Sequence, residues 1–258
     1  MADLMNTITR ASHPRRAAAS AAEEALDEAN KQVEPAVRAA KLAHKSSLEH
    51  AAWATTLQQM RLKPEYAAVT TEILPPARRA AAEAFAASKT AAEAASAVLA
   101  KVTRAAWHGK QAHLELQDEA ENEAEAMEQL LQTEHDDDAE LTRAEYDLAQ
   151  QREHGARSVA FQAASDFRRH WAVWSKSSEA STAWVRVAWR AAEAAEAWRT
   201  DDDNASVLAS GDAMNAGKKA AAFHPEVELD SEYDDDEAAY LTAVDAGAIL
   251  AGKMGAAR

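Results

Sequence analysis

Alanine supplies more than half of the apolar residues in this chain, and this constrains its fold more than any other feature. Alanine is the strongest helix former, because folding costs its side chain no rotamer entropy. The breakers are scarce, with 7 Gly and 6 Pro in 258 residues. Leu, Ile, Val and Phe together reach only about 14%, and the net charge is −15, a balance otherwise read as disorder. The composition instead predicts an all-α protein: an elongated bundle of long antiparallel helices, partly coiled-coil-like and rich in Ala, with a loop-rich C-terminal region. Each buried alanine removes little apolar area from water, so cohesion per residue is low. Oligomerisation is one ordinary remedy.

Punctuation marks out the helices. Ser12 can cap a first helix, with Pro14 in its opening turn, where a missing N–H costs nothing. That helix runs to about Lys63, and Pro35 kinks or splits it near Val33. Pro64 and the Pro75-Pro76 pair bracket a short segment, Glu65 to Leu74. A second helix opens at Pro76 and extends to about His135. Asp136-Asp137-Asp138 breaks it and starts a third, Ala139 to Arg199, which ends at Asp201-Asp202-Asp203. Residues 205–236 read as loops with a short helix, and a last helix spans Asp236 to Leu250. The expected organisation is an arm over 1–13, a helical bundle over 14–200, an acidic loop-rich linker over 201–235, and a C-terminal helix and tail over 236–258. Gly109 and Gly155 allow two readings. They lie within long helices, which is favoured, or they form turns that divide the chain into shorter ones.

The second helix carries a seam. At a spacing of seven come Phe85, Ala92, Leu99, Ala106, His113, Ala120 and Met127. Three residues further on lie Ala95, Val102, Gly109, Leu116 and Leu130, with Ser88 and Glu123 as exceptions. His113 is the one large polar residue in the first set. A buried polar seam residue usually fixes register, which is the role expected for it.

Five of the seven Trp fall between Trp171 and Trp198. At 100° per residue Trp171 and Trp189 coincide, Trp174 lies about 60° away, and Trp184 and Trp198 sit nearly opposite. The apolar arc is near 180°, wider than one packed face needs. Core anchoring is the first reading of these residues. The second is a partner or oligomer contact through Trp171, Trp174, Trp184, Trp189 and Trp198, since Trp and Arg dominate interface hot spots.

Charge is uneven. Residues 1–110 carry a net +4 and residues 111–258 a net −19. The acidic half repels nucleic acid and attracts the basic half of its own chain or of a neighbour. There is no Cys, which excludes disulfides, thiolate zinc sites and thiol nucleophiles. No apolar stretch is long enough for a membrane span. Leu4 to Ala22 holds Arg10, Arg15 and Arg16 and no acid, a composition shared by amphipathic transit peptides and by a plain helix start, the latter favoured.

Motifs for chemistry are missing. Gly211 to Lys219 departs from a phosphate-binding loop in spacing and in its last residue, and no strand precedes it. None of the nine His follows a Glu by three residues, so the local pattern of two-metal helical bundles is absent. The stretch 201–212 lacks the Gly and final Glu of a calcium loop. No catalytic residue, cofactor or metal is expected, and a small-molecule ligand is not.

Trp107-His108-Gly109 after an alanine-rich helix, followed later by Tyr233 to Glu237, resembles the Trp-x-Gly turn and Tyr-x-x-x-Asp/Glu export signal of type VII (WXG100) secretion substrates. The resemblance implies a hairpin turn at Trp107 and Gly109, with Tyr233 and Glu237 read by an export machinery. It covers eight residues. The sequence therefore supports a non-enzymatic structural or assembly protein, cytoplasmic or in an assembled particle such as a virion, secretion apparatus or scaffold. Such a protein self-associates or docks a partner. The alternative is a secreted helical effector or export substrate.

Overall fold

The computed structural model describes residues 2–133, 143–200 and 202–223; for residues 2–13 and 133 it describes the backbone alone. Five helices follow in order: α1 (Ala2–Asn30), α2 (Val33–Arg61), α3 (Ala67–Thr133), α4 (Arg143–Arg199) and α5 (Asp203–Ala221), with a 3-10 turn at Pro64–Tyr66 before α3. The described residues hold no strand. No helix among them is long and apolar enough to cross a membrane. At 1.5 Å per residue, α3 extends about 100 Å and α4 about 86 Å, so the described part is an elongated all-α bundle.

Paired residues on α3 and α4 step in opposite directions along the two helices. Ser96 meets Ser181, Thr103 meets Ser177, His113 meets His170 and Glu128 meets Arg157. The two helices are thus one long antiparallel hairpin. α2 lies against the lower half of the hairpin, formed by the start of α3 and the end of α4, α1 against the upper half, formed by the end of α3 and the start of α4, and α5 packs on both α2 and α4.

The seven-residue seam of α3 faces inward throughout. Phe85, Ala92, Leu99, Ala106, His113, Ala120 and Met127 are all buried, as are Ser88, Ala95, Val102 and Leu116. Two large apolar clusters result. One joins Leu26, Val37, Leu99, Val102, Trp184 and Val187. The other joins Leu57, Leu74, Phe85 and Trp198. Alanines fill the space between these larger residues.

Where helices begin and end follows the punctuation in part. Pro35 divides the first pattern, and α2 starts at Val33. Gly109 and Gly155 lie inside continuous helices rather than at turns. The Pro75-Pro76 pair, expected to open a helix, forms the ninth and tenth residues of α3. The two prolines remove two main-chain hydrogen bonds. The preceding turn is held instead by packing of Leu74, Ala77 and Arg78 and by Thr70 and Thr71, whose hydroxyls donate to the Tyr66 and Ala67 carbonyls at 2.9 and 2.8 Å. Of residues 205–236, expected to be loops with a short helix, those up to Ala221 belong to the 19-residue α5. Asp202 caps it, accepting from the Asn204 and Ala205 amides at 3.0 Å each. Residues 2–13, expected to be an arm, have helical backbone continuous with α1. The expected helix at 236–250 falls outside the described residues.

Opposite charges of the two halves meet within the chain. Arg15 bonds Glu115 at 2.9 Å and Glu119 at 2.6 Å. The α4–α5 turn is held by two arginines. Arg61 reaches Asp203 at 2.8 Å. Arg78, itself buried, bonds the same carboxylate and donates to the Thr200 carbonyl at 2.8 Å. Asp203→Asn strips a buried guanidinium of this carboxylate and should lower stability by about 2–3 kcal/mol, readable by urea unfolding.

Two glycines set helix spacing by their lack of a side chain. A Cβ on Gly109 would overlap the His170 ring, and a Cβ on Gly217 would overlap the His44 ring. A Cβ on Gly155 would meet nothing within 4 Å. One substitution should therefore have opposite signs at different sites. Gly155→Ala should stabilise by up to about 1 kcal/mol through helix propensity. Gly109→Ala and Gly217→Ala should each destabilise by about 1–2 kcal/mol net, because an overpacked core loses more than propensity returns. Thermal unfolding of the three variants separates the cases.

Candidate functional site

The upper half of the α3–α4 hairpin, where α1 lies across it, brings together an unusual group of polar side chains. Glu23 comes from α1, His113 from α3, and Arg169 and His170 from α4. Both histidines are buried, and Glu23 is partly buried. His113 Nε2 lies 3.1 Å from Glu23 Oε1. His170 Nδ1 lies 3.6 Å from the same oxygen and 2.9 Å from the Asp166 carbonyl one turn back on α4. Arg169 pairs with the other oxygen, Glu23 Oε2. The imidazole rings sit with centroids 5.0 Å apart at an interplanar angle of 37°.

The hydrogen-bond directions follow from the donors available. A carboxylate and a carbonyl can only accept, so His113 donates from Nε2 and His170 from Nδ1. The remaining ring nitrogens, His113 Nδ1 and His170 Nε2, are buried without a hydrogen-bond partner. Burial pushes the His113 pKa below its ordinary value, and a charge on His170 pushes the same way; Asp166 and Glu23 oppose this. His113 therefore occupies the seam as a buried polar residue bonded across to α1. Its neighbour His170 reaches inward because Gly109, one turn before His113, leaves room for the ring.

One turn before His113 on α3 lies Lys110. Its side chain is buried and its ammonium faces three rings: Trp171 at 4.0 Å from the centroid, Trp107 at 4.4 Å and Phe167 at 5.7 Å. Such faces attract a cation through the ring quadrupole. Trp174 extends the group, 5.0 Å from Trp171 and 5.9 Å from Trp107.

The five tryptophans of α4 thus divide into three kinds. Trp184 and Trp198 are buried within the chain's own core, 2% and 1% exposed, and the indole of Trp198 donates to Ser210 at 2.9 Å. Helices of the same chain cover them. Trp171 and Trp174 are half-buried around Lys110. Trp189 stands on the outer surface, 57% exposed, with the Arg190 guanidinium 4.5 Å from its ring centroid. Val185, one turn earlier, is 54% exposed. Further exposed apolar residues lie where α2 passes into α3: Leu62 after α2, Tyr66 in the 3-10 turn, and Val69 and Ile73 in the first turns of α3.

Trp107 and Gly109 do not form the hairpin turn that the type VII resemblance implies. They lie within α3, which continues unbroken for 24 residues past Gly109. Continuous helical packing against α4 explains this: Lys110, His113 and Leu116 all face inward on that stretch. Tyr233 and Glu237 lie outside the described residues. Sequence reasoning missed Glu23, Lys110, Arg169 and His170. They come from three helices, and only the tertiary fold assembles them. A faint signal existed, since Gly109 in a helix favours close approach of a bulky neighbour.

Comparison with protein-family models, with curated proteins and with solved structures finds no match to this chain.

Burial pushes the Lys110 pKa below 10.5. Folding then opposes the ammonium while the unfolded amine is protonated, and the penalty is relieved as pH climbs from the folded midpoint toward 10.5. In an NMR titration of isotopically methylated lysines, the Lys110 resonance should titrate below that of Lys31, whose pKa is raised by Glu28.

Proposed function

We propose that the protein is a non-enzymatic structural or assembly component that self-associates, or docks a protein partner, through an Ala/Trp-rich helical surface. The observation that carries this reading is the exposed Val185–Trp189–Arg190 surface on α4. A tryptophan left more than half exposed beside an arginine is the composition of an interface hot spot. The low cohesion of an alanine core favours further burial between chains. The exposed apolar residues Leu62, Tyr66, Val69 and Ile73 support the same reading.

A groove of about 370 Å³ on α3 and α4 is lined by Glu121, Glu125, Glu128 and Arg157. The Arg157 guanidinium is committed to Glu128 at 2.9 Å and Glu153 at 2.5 Å, which leaves a solvated ion-pair network.

Light scattering over a concentration series tests the proposal. The wild type should exceed the 27.8 kDa of one chain. The double variant Val185→Ala, Trp189→Ala should weaken association at least about 30-fold, as expected for loss of a hot spot of ~2 kcal/mol. Its helicity should be unchanged, because both side chains lie on the surface, and its thermal midpoint should depend less on protein concentration than that of the wild type. A single-chain mass for the wild type throughout would overturn self-association.

A further inference from the structure

We propose that Glu23, His113 and His170 form a binding site for a divalent first-row transition-metal ion, with zinc as its natural occupant. The three residues each offer one donor atom, and these atoms lie within 4.8 Å of one another. Glu23 Oε1 is 3.1 Å from His113 Nε2 and 3.6 Å from His170 Nδ1. Ligands bound at roughly 2.0–2.1 Å around tetrahedral zinc lie about 3.3–3.4 Å apart, between those two separations. These two edges need only a few tenths of an ångström of adjustment; the His113–His170 edge lies within 4.8 Å and closes toward the same length when the ion binds.

The donor set selects the ion. Two imidazoles and one carboxylate suit zinc, cobalt and iron. Calcium and magnesium require a shell of oxygens that this site lacks. Three protein ligands leave a fourth tetrahedral position for water. Arg169 holds Glu23 Oε2, which turns Oε1 toward the histidines.

The proton balance is simple. Each imidazole must bare the nitrogen that now donates, and in the neutral tautomers that bind a metal the protons sit on His113 Nδ1 and His170 Nε2. The Asp166 carbonyl loses the His170 side chain but keeps its helical N–H partner. The outer nitrogens have no acceptor in reach. Metal-bound histidines usually donate from that nitrogen, and its loss costs about 10–100-fold in affinity. The nearby Arg169 charge also opposes a dication. Affinity should consequently be micromolar, well short of closed structural zinc sites. Because the ligands come from α1, α3 and α4, the ion would clip α1 onto the hairpin.

The full chain, stripped with a chelator, is titrated with zinc chloride by calorimetry and with cobalt chloride by visible absorption. One equivalent should bind with micromolar Kd, and cobalt should give the intense visible bands of a four-coordinate N/O site. Zinc at 100-fold above Kd should raise the thermal midpoint by about 5–10 °C. Glu23→Gln and His113→Gln should each abolish the equivalent, whereas His50→Ala with His154→Ala, both surface histidines, should retain it. If His113→Gln fails to fold, Glu23→Gln decides, since the Glu23 side chain is 26% exposed and glutamine keeps its shape. Absence of binding to the wild type, or an undiminished equivalent in folded Glu23→Gln, would overturn the site.

Discussion

Close approach of α3 and α4 is the constraint from which the rest of the structure follows. Alanine, serine and glycine line the crossing, so the two backbones lie near each other over most of their length. Small residues bring little apolar area, but they create recesses into which a few large side chains fit. His170 occupies the recess over Gly109, and His44 the one over Gly217. Trp184 and Trp198 fill the two apolar clusters. The stability of such a bundle is concentrated at these few contacts. Alanine provides the geometry, and the large residues provide most of the buried area.

Polar pairs complement this packing. Ser96 and Ser181 lie 3.1 Å apart across the hairpin, and Thr103 and Ser177 lie 2.9 Å apart. Hydroxyls are small enough for a tight crossing, and each also bonds a backbone carbonyl or its counterpart, so burial leaves them satisfied. A register slip would separate them. The serines therefore specify one alignment where an alanine surface alone would allow several.

The long-range order of the sequence was legible where periodicity was strict. The seven-residue spacing from Phe85 to Met127 marks the buried line of α3, and the wheel positions of Trp189 and Trp184 separate an exposed face from a buried one. Local rules failed where tertiary contacts outweighed them. Pro75 and Pro76 look like a helix start, yet burial of Thr70, Leu74 and Arg78 carries the helix through them. The segment 203–221 looks loop-like because of its two glycines, yet Gly217 is there to admit His44. The Glu23, His113, His170 group was illegible for a different reason. Its members are 57 or more residues apart, and no local spacing rule reaches across three helices.

The attachment of α1 differs in kind from that of the other helices. Among its described side chains only Ala19 and Leu26 are buried. Ala29 also packs against the core, and the described polar ties are Arg15 to Glu115 and Glu119, and Glu23 to His113 and Arg169. Exposed ion pairs contribute little and weaken with salt, so the Arg15 pairs are poor anchors. The half-buried Glu23 group lies in a drier setting, where each charge–dipole contact counts for more. Leu26 and Ala19 fasten α1 to the hairpin through apolar clusters, and the Glu23 carboxylate facing two buried imidazoles adds a directional polar tie between them.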